Sequence, residues 1–539
     1  MPHTGQTALI NGRIHTPAGI AEALLIEAGR IAAVGTNSTI GLHCNTKIID
    51  LQGRAVFPGF SDSHAHFMAW AESQEAIRLG DCRSLDELRH TLHAYAAQYP
   101  TPVGGWYQGH GWNQVSMGDV MPTRHDLDAV IPDTPVYLRR VCGHIAVVNT
   151  VALKAAGITA NTRTEGGIIE LDEDGEPNGI LKENALNLIA QNIPGLDDTD
   201  RTRLLQKYGP QAASYGLTEI HSDDLAAFDF DFRRSQEFFM DAARNGELPF
   251  RLRRQLLLSH RDLLLDFLAE GWRTGDGVPL CQIGPLKLLC DGSLGGRTAF
   301  LREDYADAPG ERGVALFDQA DLDSLILIAH AAGMQIATHA IGDGALDMCL
   351  DAFERAAKQR PMITRHLIVH AQFADDAQLE RMRRLRLGAA IQPCFVPSDR
   401  TMAQDRLGKE RAEAGYRWRT LMSKGIVLSS GSDAPIESLR PMRGIHAAVT
   451  RTTLDGIPEG GWVPEERLSV AEAIGSYTWN AAWNGCNEKR RGEVAPGRDA
   501  DIVVLDQDPF LVPNRELADI GVVMTLCAGR ITHASPELS

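Results

Sequence analysis

Eight short apolar runs, each followed by a segment of helical period, constrain the fold of this chain more than any other feature. They are AVFPGFSDSHAHF, YGLTEIHSD (215–223), LPFRLRRQLLL (248–258), IGPLKLLCDGS (283–293), MQIATHAIGD (334–343), RHLIVHAQF (365–373), RLGAAIQPCF (386–395) and GIVLSSGSDAP (425–435). Runs of four to eight apolar residues that do not alternate with polar ones fit strands covered on both faces. The segments between them, such as DLDSLILIAHAAG, GALDMCLDAFERAAKQR and DAQLERMRRLRLG, carry the apolar spacing of helices. Eight strand–helix alternations predict a (β/α)8 barrel.

The two ends of the chain read differently. TALI-NG-RIH predicts an Asn11-Gly12 hairpin, EALLIEAGRIAAVG repeats the pattern at Ala28-Gly29, and TKIIDLQGRAVFPG adds a third pair of short strands. The last fifty residues are also strand-like, with an Ala528-Gly529 turn. Neither end alone buries much apolar surface. Pairing them gives a small composite β-sandwich of residues 1–58 and 486–539, with the barrel over 59–485. The stretch 70–165 breaks the alternation and reads as an insertion after the first barrel strand. It opens with a helix capped by Ser84 and Glu87.

Composition excludes several classes. Lys plus Arg number 53 against 70 Asp plus Glu, a formal charge of −17. This disfavours a general nucleic-acid or anionic-membrane binder. No apolar run reaches membrane-spanning length, and the N-terminus has no signal-peptide pattern. Nine scattered cysteines without a CxxC pair read as reduced thiols of a cytoplasmic protein rather than as a disulfide framework.

Chemistry-bearing residues collect at one end of the predicted strands. His64 and His66 are two apart, so on a strand both imidazoles face the same side. Lys287 lies among leucines in PLKLLCDG, where a buried ammonium is costly unless it is paired or neutralised; Asp291, at i+4, is one candidate partner. His339 ends the fifth run, His370 the sixth, and Asp433 follows the eighth. Taken singly, each has an ordinary reading: a core histidine, an ion-paired lysine, a helix-capping aspartate. Together they mark one barrel end as a metal site of His64, His66, Lys287, His339, His370 and Asp433. Secondary candidates for substrate contact are Asp291 and Arg297 in DGSLGGRTAF, His144 in RVCGHIAVVN, Trp112 in GGWYQGHGWN and His221 in TEIHSD. For each of these, a salt bridge, a hydrogen-bonded core histidine or aromatic packing is the competing reading.

The patterns PGFSDSHAHF, a strand-four lysine, THAIGD, VHAQ and SGSDAP resemble the metal-dependent amidohydrolase superfamily. GWYQGHGWN, LKLLCDGSLGGRTAF and GEVAPGRDADIVVLD narrow the resemblance to its YtcJ-like branch, amidohydrolase family 3. The resemblance implies a distorted (β/α)8 barrel with a sandwich built from both ends. It implies that His64, His66 and Asp433 hold one divalent metal ion, zinc for preference, and that His339 and His370 hold a second. Lys287, carboxylated on its amine, would bridge the two; a one-metal site with unmodified Lys287 stays open. The implied activity is hydrolysis of an amide-type C–N bond of a small molecule by metal-activated hydroxide, with Asp433 as proton shuttle. Formamides or other linear amides lead as substrates, and a homodimer is the implied assembly. A cyclic amide or amidine hydrolase, an aminohydrolase, or an inactive structural homologue are the alternatives.

Overall fold

In a computed structural model, the chain is described over residues 5–140, 145–164, 166–361 and 364–536. All eight expected runs are strands: β1 (Phe60–Ala65), β2 (Leu217–Ser222), β3 (Arg251–Leu257), β4 (Cys281–Leu289), β5 (Ile336–Ala340), β6 (Leu367–His370), β7 (Gly388–Ile391) and β8 (Leu428–Ser430). They pair in parallel and in chain order, β1 through β8, in one sheet. Strands such as β1 and β2 are buried at every position, as both-face coverage requires. Helices Gln319–Ala331, Asp343–Gln359 and Asp376–Leu385 cover the expected helical segments.

The sheet curls into a nearly closed barrel, and the seam between β8 and β1 is made by irregular bonds. Asp433 N–H donates to the His64 carbonyl at 2.8 Å, and His66 N–H donates to the Ala434 carbonyl at 2.8 Å. The Asp62 carboxylate accepts from the Ser432 and His64 amides, both at 3.1 Å. Gly431 passes so close to this seam that a Cβ there would lie 2.6 Å from the His64 nitrogen.

Both chain ends enter one six-stranded sheet, in the order Arg530–Ala534, Val522–Cys527, Ile502–Leu505, Ala55–Pro58, Arg13–Thr16, Gly19–Ala21. A second sheet, Arg30–Gly35, Ala23–Glu27, Thr7–Ile10, Lys47–Asp50, packs with it around Leu9, Leu24, Val56, Ile502 and Met524. The Ala-Gly turns behave as expected. Ala28, Gly29, Ala528 and Gly529 all have positive φ and close antiparallel hairpins. The Asn11-Gly12 hairpin is not found. Asn11 is left-handed at φ 54°, but Gly12 is not among the positive-φ glycines, so the two-residue turn that needs both is not formed. The chain instead steps from one sheet to the other, because Thr7–Ile10 and Arg13–Thr16 lie in different sheets. Lys47–Asp50 and Ala55–Pro58 part in the same way.

The stretch at about 70–165 read as an insertion lies within one compact unit, which runs from Met68 to Leu205. Its sheet orders Gly167–Leu171, Pro177–Glu183, Ile145–Val148, Val136–Arg140, Tyr107–Trp112, Ile77–Arg78. Pro177–Glu183 belongs to the unit because it pairs with Ile145–Val148. Helix Leu85–Gln98 is capped by Ser84, which accepts the Glu87 amide, while Glu87 reaches back to the Arg83 amide instead of that of Ser84. No helix among the described residues is long and apolar enough to cross a membrane.

Candidate metal centre

Five of the eight strands deliver side chains to one end of the barrel. His64 is on β1 and His66 just beyond it. Lys287 is on β4, His339 on β5 and His370 closes β6, while Asp433 follows β8. His370 and Asp433 hold left-handed backbone at φ 74° and 55°. Such conformations cost about 1–3 kcal/mol each in a non-glycine residue and gather at functional sites.

The side chains converge. The Lys287 Nζ is 3.0 Å from His64 Nε2. Asp433 Oδ1 is 3.3 Å from both His64 Nε2 and His66 Nε2. The His339 and His370 rings are 4.4 Å apart, and the His64 and His370 rings 5.7 Å apart.

Each imidazole has one nitrogen tied down behind it. His66 Nδ1 meets the Asp223 carbonyl at 2.8 Å, and His339 Nε2 meets the Gly292 carbonyl at 3.1 Å. His64 Nδ1 meets Gln255 Oε1 at 2.8 Å, and His370 Nδ1 meets Gln392 Oε1 at 2.6 Å. A carbonyl oxygen only accepts, so the tied nitrogen carries a proton, and in a neutral ring the other nitrogen keeps its lone pair. That nitrogen is Nε2 in His64 and His370 and Nδ1 in His339; in His66 it is Nε2, which faces Asp433.

Electrostatics hold His64 and His370 neutral beside an ionised Asp433, and favour a protonated His66. Burial, reinforced by Lys287, pushes His64 down to about 3. Burial, with His339, holds His370 well below the ordinary imidazole value. Burial lowers Lys287 to about 8. Burial would raise Asp433, but its hydrogen bonds to His64 and His66 outweigh it and hold the carboxyl well below the usual range. For His66, burial is overcome by Asp433 and Asp223, and the ring is raised to about 9. Asp62, wholly buried in the seam, is pushed up to about 7.

This donor set fits a divalent ion. His64, His370 and Asp433 offer ligand atoms within 4.8 Å of one another, and neutral imidazole with carboxylate is the chemistry of zinc-like sites. Lys287 enters such a set only as a neutral amine or a carbamate, since an ammonium has no lone pair.

The secondary candidates take other places. The Asp291 carboxylate is buried and accepts the Phe300, Ile341 and Gly342 amides at 2.8–3.1 Å. It lies 3.2 Å from His339 Nε2, so it anchors the loop behind His339. Arg297 is engaged by Asp307 at 2.8 Å on the surface. Trp112 fills the core of the inserted unit and donates its indole N–H to the Leu138 carbonyl. His221 is buried beside Glu219, with Arg253 and Arg491 acting on its charge. His144 lies outside the described residues. The amides Gln255 and Gln392 and the carboxyls Asp62 and Asp223 were not among the expected site residues. Their one signal is a polar side chain within or beside an apolar strand.

A family profile described as an amidohydrolase family, amidohydrolase family 3, matches residues 47–533. The chain belongs to this family. The amidohydrolase is 37% identical over 521 residues to the amidohydrolase-type protein YtcJ of Bacillus subtilis (strain 168), covering 95% of this chain and 96% of that one. It is 27% identical to the N-substituted formamide deformylase of Arthrobacter pascens, covering 95% of each. Among solved structures it matches an uncharacterized metal-dependent hydrolase from Pyrococcus furiosus with a TM-score of 0.78 and 31% identity, covering 94% of this chain and 99% of that one. The amidohydrolase is accordingly a hydrolase of the nearly closed barrel type, with a His–His–Asp group suited to a divalent metal.

Proposed function

We propose that this amidohydrolase hydrolyses an amide-type C–N bond of a small molecule, N-substituted formamides first among the candidates. The observation that supports it most is the meeting of His64, His66, Lys287, His339, His370 and Asp433 at one barrel end, each imidazole with one nitrogen anchored and the other free to face the site. His64, His66 and Asp433 would hold one divalent ion and His339 and His370 a second. A bound ion would supply Lewis acidity, both for acidifying a water and for polarising a carbonyl. Zinc suits the ligand types.

The chain's own groups do the rest. Asp433 is ionised and central, so its carboxylate takes the proton from the attacking water. It then returns that proton to the departing nitrogen. The products are a carboxylic acid and an amine. Burial leaves a share of Lys287 as the free amine near neutrality. That amine would add CO2 and lose one proton to give a carbamate, whose oxygens would help to hold the ions. Gln255, Gln392 and the Asp223 and Gly292 carbonyls hold the rings in place during turnover.

Elemental analysis of the purified protein beside Lys287→Ala and His64→Ala, with hydrolysis of N-formyl amines measured on each, tests this reading. About two equivalents of metal, falling in both variants together with amine release, is the expected result. No metal after reconstitution, or amine release unaffected in His64→Ala, would overturn it.

A further inference from the structure

We infer that Gln255 and Gln392 are positioning residues that fix the tautomer and the aim of His64 and His370, each through a buried neutral amide. The inference rests on the reading of the imidazole cluster as a metal centre, but it makes a separate claim about the metal-free protein.

The two glutamines are a matched pair. Gln255 lies on β3 and Gln392 directly follows β7. Both are buried, at 1% and 3% exposure. Each spans between a backbone carbonyl and an imidazole. Gln255 donates from Nε2 to the Ser63 carbonyl at 3.1 Å and presents Oε1 to His64 Nδ1 at 2.8 Å. Gln392 donates from Nε2 to the Ala390 carbonyl at 3.2 Å and presents Oε1 to His370 Nδ1 at 2.6 Å. The orientation of each amide follows from chemistry. A backbone carbonyl cannot donate, so the end of the amide facing it is the NH2 and the end facing the imidazole is the oxygen. An oxygen there requires Nδ1–H, which leaves the Nε2 lone pair for the site.

His66 meets the main-chain carbonyl of Asp223, and His339 meets that of Gly292 with the Asp291 carboxylate also 3.2 Å from its Nε2. His64 and His370 each rest on a neutral side-chain amide. The use of an amide rather than a carboxylate also has a physical reason. Asp62, Asp223, Asp291 and Asp433 already place four buried carboxyls at this barrel end. A further buried charge would carry a large desolvation cost, whereas an amide sets the tautomer without adding charge. Partners behind metal-bound histidines commonly contribute 10–100-fold in metal affinity.

The test compares the wild-type protein with Gln255→Met and Gln392→Met, which keep the length of the side chain and lose the acceptor. Gln255→Glu and Gln392→Glu keep an acceptor oxygen. Metal-free samples labelled with 15N-histidine are read by NMR for tautomer, with His64→Gln and His370→Gln to assign the signals. Cobalt(II) titration, followed by its visible absorption, gives affinity and ligand geometry. Circular dichroism and melting confirm that each variant is folded. The expected result is Nδ1–H at both rings in wild type and mixed tautomers at the affected ring in each Met variant. Cobalt affinity is expected about 10–100-fold weaker in the Met variants, with changed absorption, and recovered in a folded Glu variant. Nε2–H at His64 or His370 in wild type would overturn the inference whatever cobalt does. So would folded Met variants with unchanged tautomers and cobalt spectra. If wild type binds no cobalt, the metal reading fails, and the NMR tautomers alone decide the role of the glutamines.

Discussion

Replacing Asp433 with Asn keeps the shape of the side chain and removes the charge that His64 and His66 share at 3.3 Å. Steady-state kinetics on an N-formyl amine should show kcat lower by about 10²–10⁴-fold, with metal content measured on the same samples to separate binding from proton transfer. Arg297→Ala should behave oppositely. Its guanidinium is engaged by Asp307 on the surface, and exposed pairs contribute about 0–1 kcal/mol. KM should therefore stay within about two-fold of wild type. The contrast also explains what could be read from single residues beforehand. Lys287 and the histidines stood out because ionisable groups inside apolar runs need a reason to be there. Arg297 and Trp112 are weaker candidates, and their partners Asp307 and Leu138 come from loop and strand neighbours that no local pattern reveals. Gln255 and Gln392 were silent because a neutral amide costs too little, once bonded, to look anomalous in a sequence.

At the scale of elements, the barrel closes through the short crossing between β8 and β1 rather than through a regular ladder. Gly431→Ala would drive a Cβ to 2.6 Å from the His64 nitrogen and 2.8 Å from Asp62 Oδ1. The seam and the first imidazole must then shift together. A lower melting temperature and a lower metal content should appear in the same variant, measured by scanning calorimetry and elemental analysis. The eight strands were legible because burial on both faces writes continuous apolar runs. The end of the inserted unit was not. Gly167–Leu171 and Pro177–Glu183 look like any surface hairpin, and only pairing with Ile145–Val148 assigns them to it. Asn11-Gly12 misled for a related reason: a turn dipeptide specifies local backbone, while the choice of sheet is made by the strands' distant partners.

For the whole molecule, burial holds His221 down at about 4 and His366 at about 3, so both are neutral when folded. Unfolded, they take up protons near 6.5. The unfolded chain therefore binds more protons between about pH 3 and 6.5. The stability they contribute is complete above that window, falls as pH drops through it, and levels off below. Urea midpoints should fall from pH 7 to pH 5, with a slope of up to about 1.4 kcal/mol per pH unit for each extra proton. A buried ion network joins barrel to terminal sheet: Arg251 with Asp501 at 2.7 Å, and Arg491 with Glu219 at 2.6 Å. Asp501→Ala leaves Arg251 without that partner and should cost about 3–5 kcal/mol in denaturant titration.

The shared sheet of the two chain ends has a further consequence, one of timing. Ala55–Pro58 hydrogen-bonds to Ile502–Leu505, so the earlier strand waits for one made several hundred residues later. At roughly 5–20 residues per second, the wait is tens of seconds. Throughout it, Val56 and Phe57 sit on an open strand edge beside a growing, incomplete barrel. The nascent chain is exposed to wrong pairing until Ile502–Leu505 is made, and that strand acts as the latch that ends this exposure.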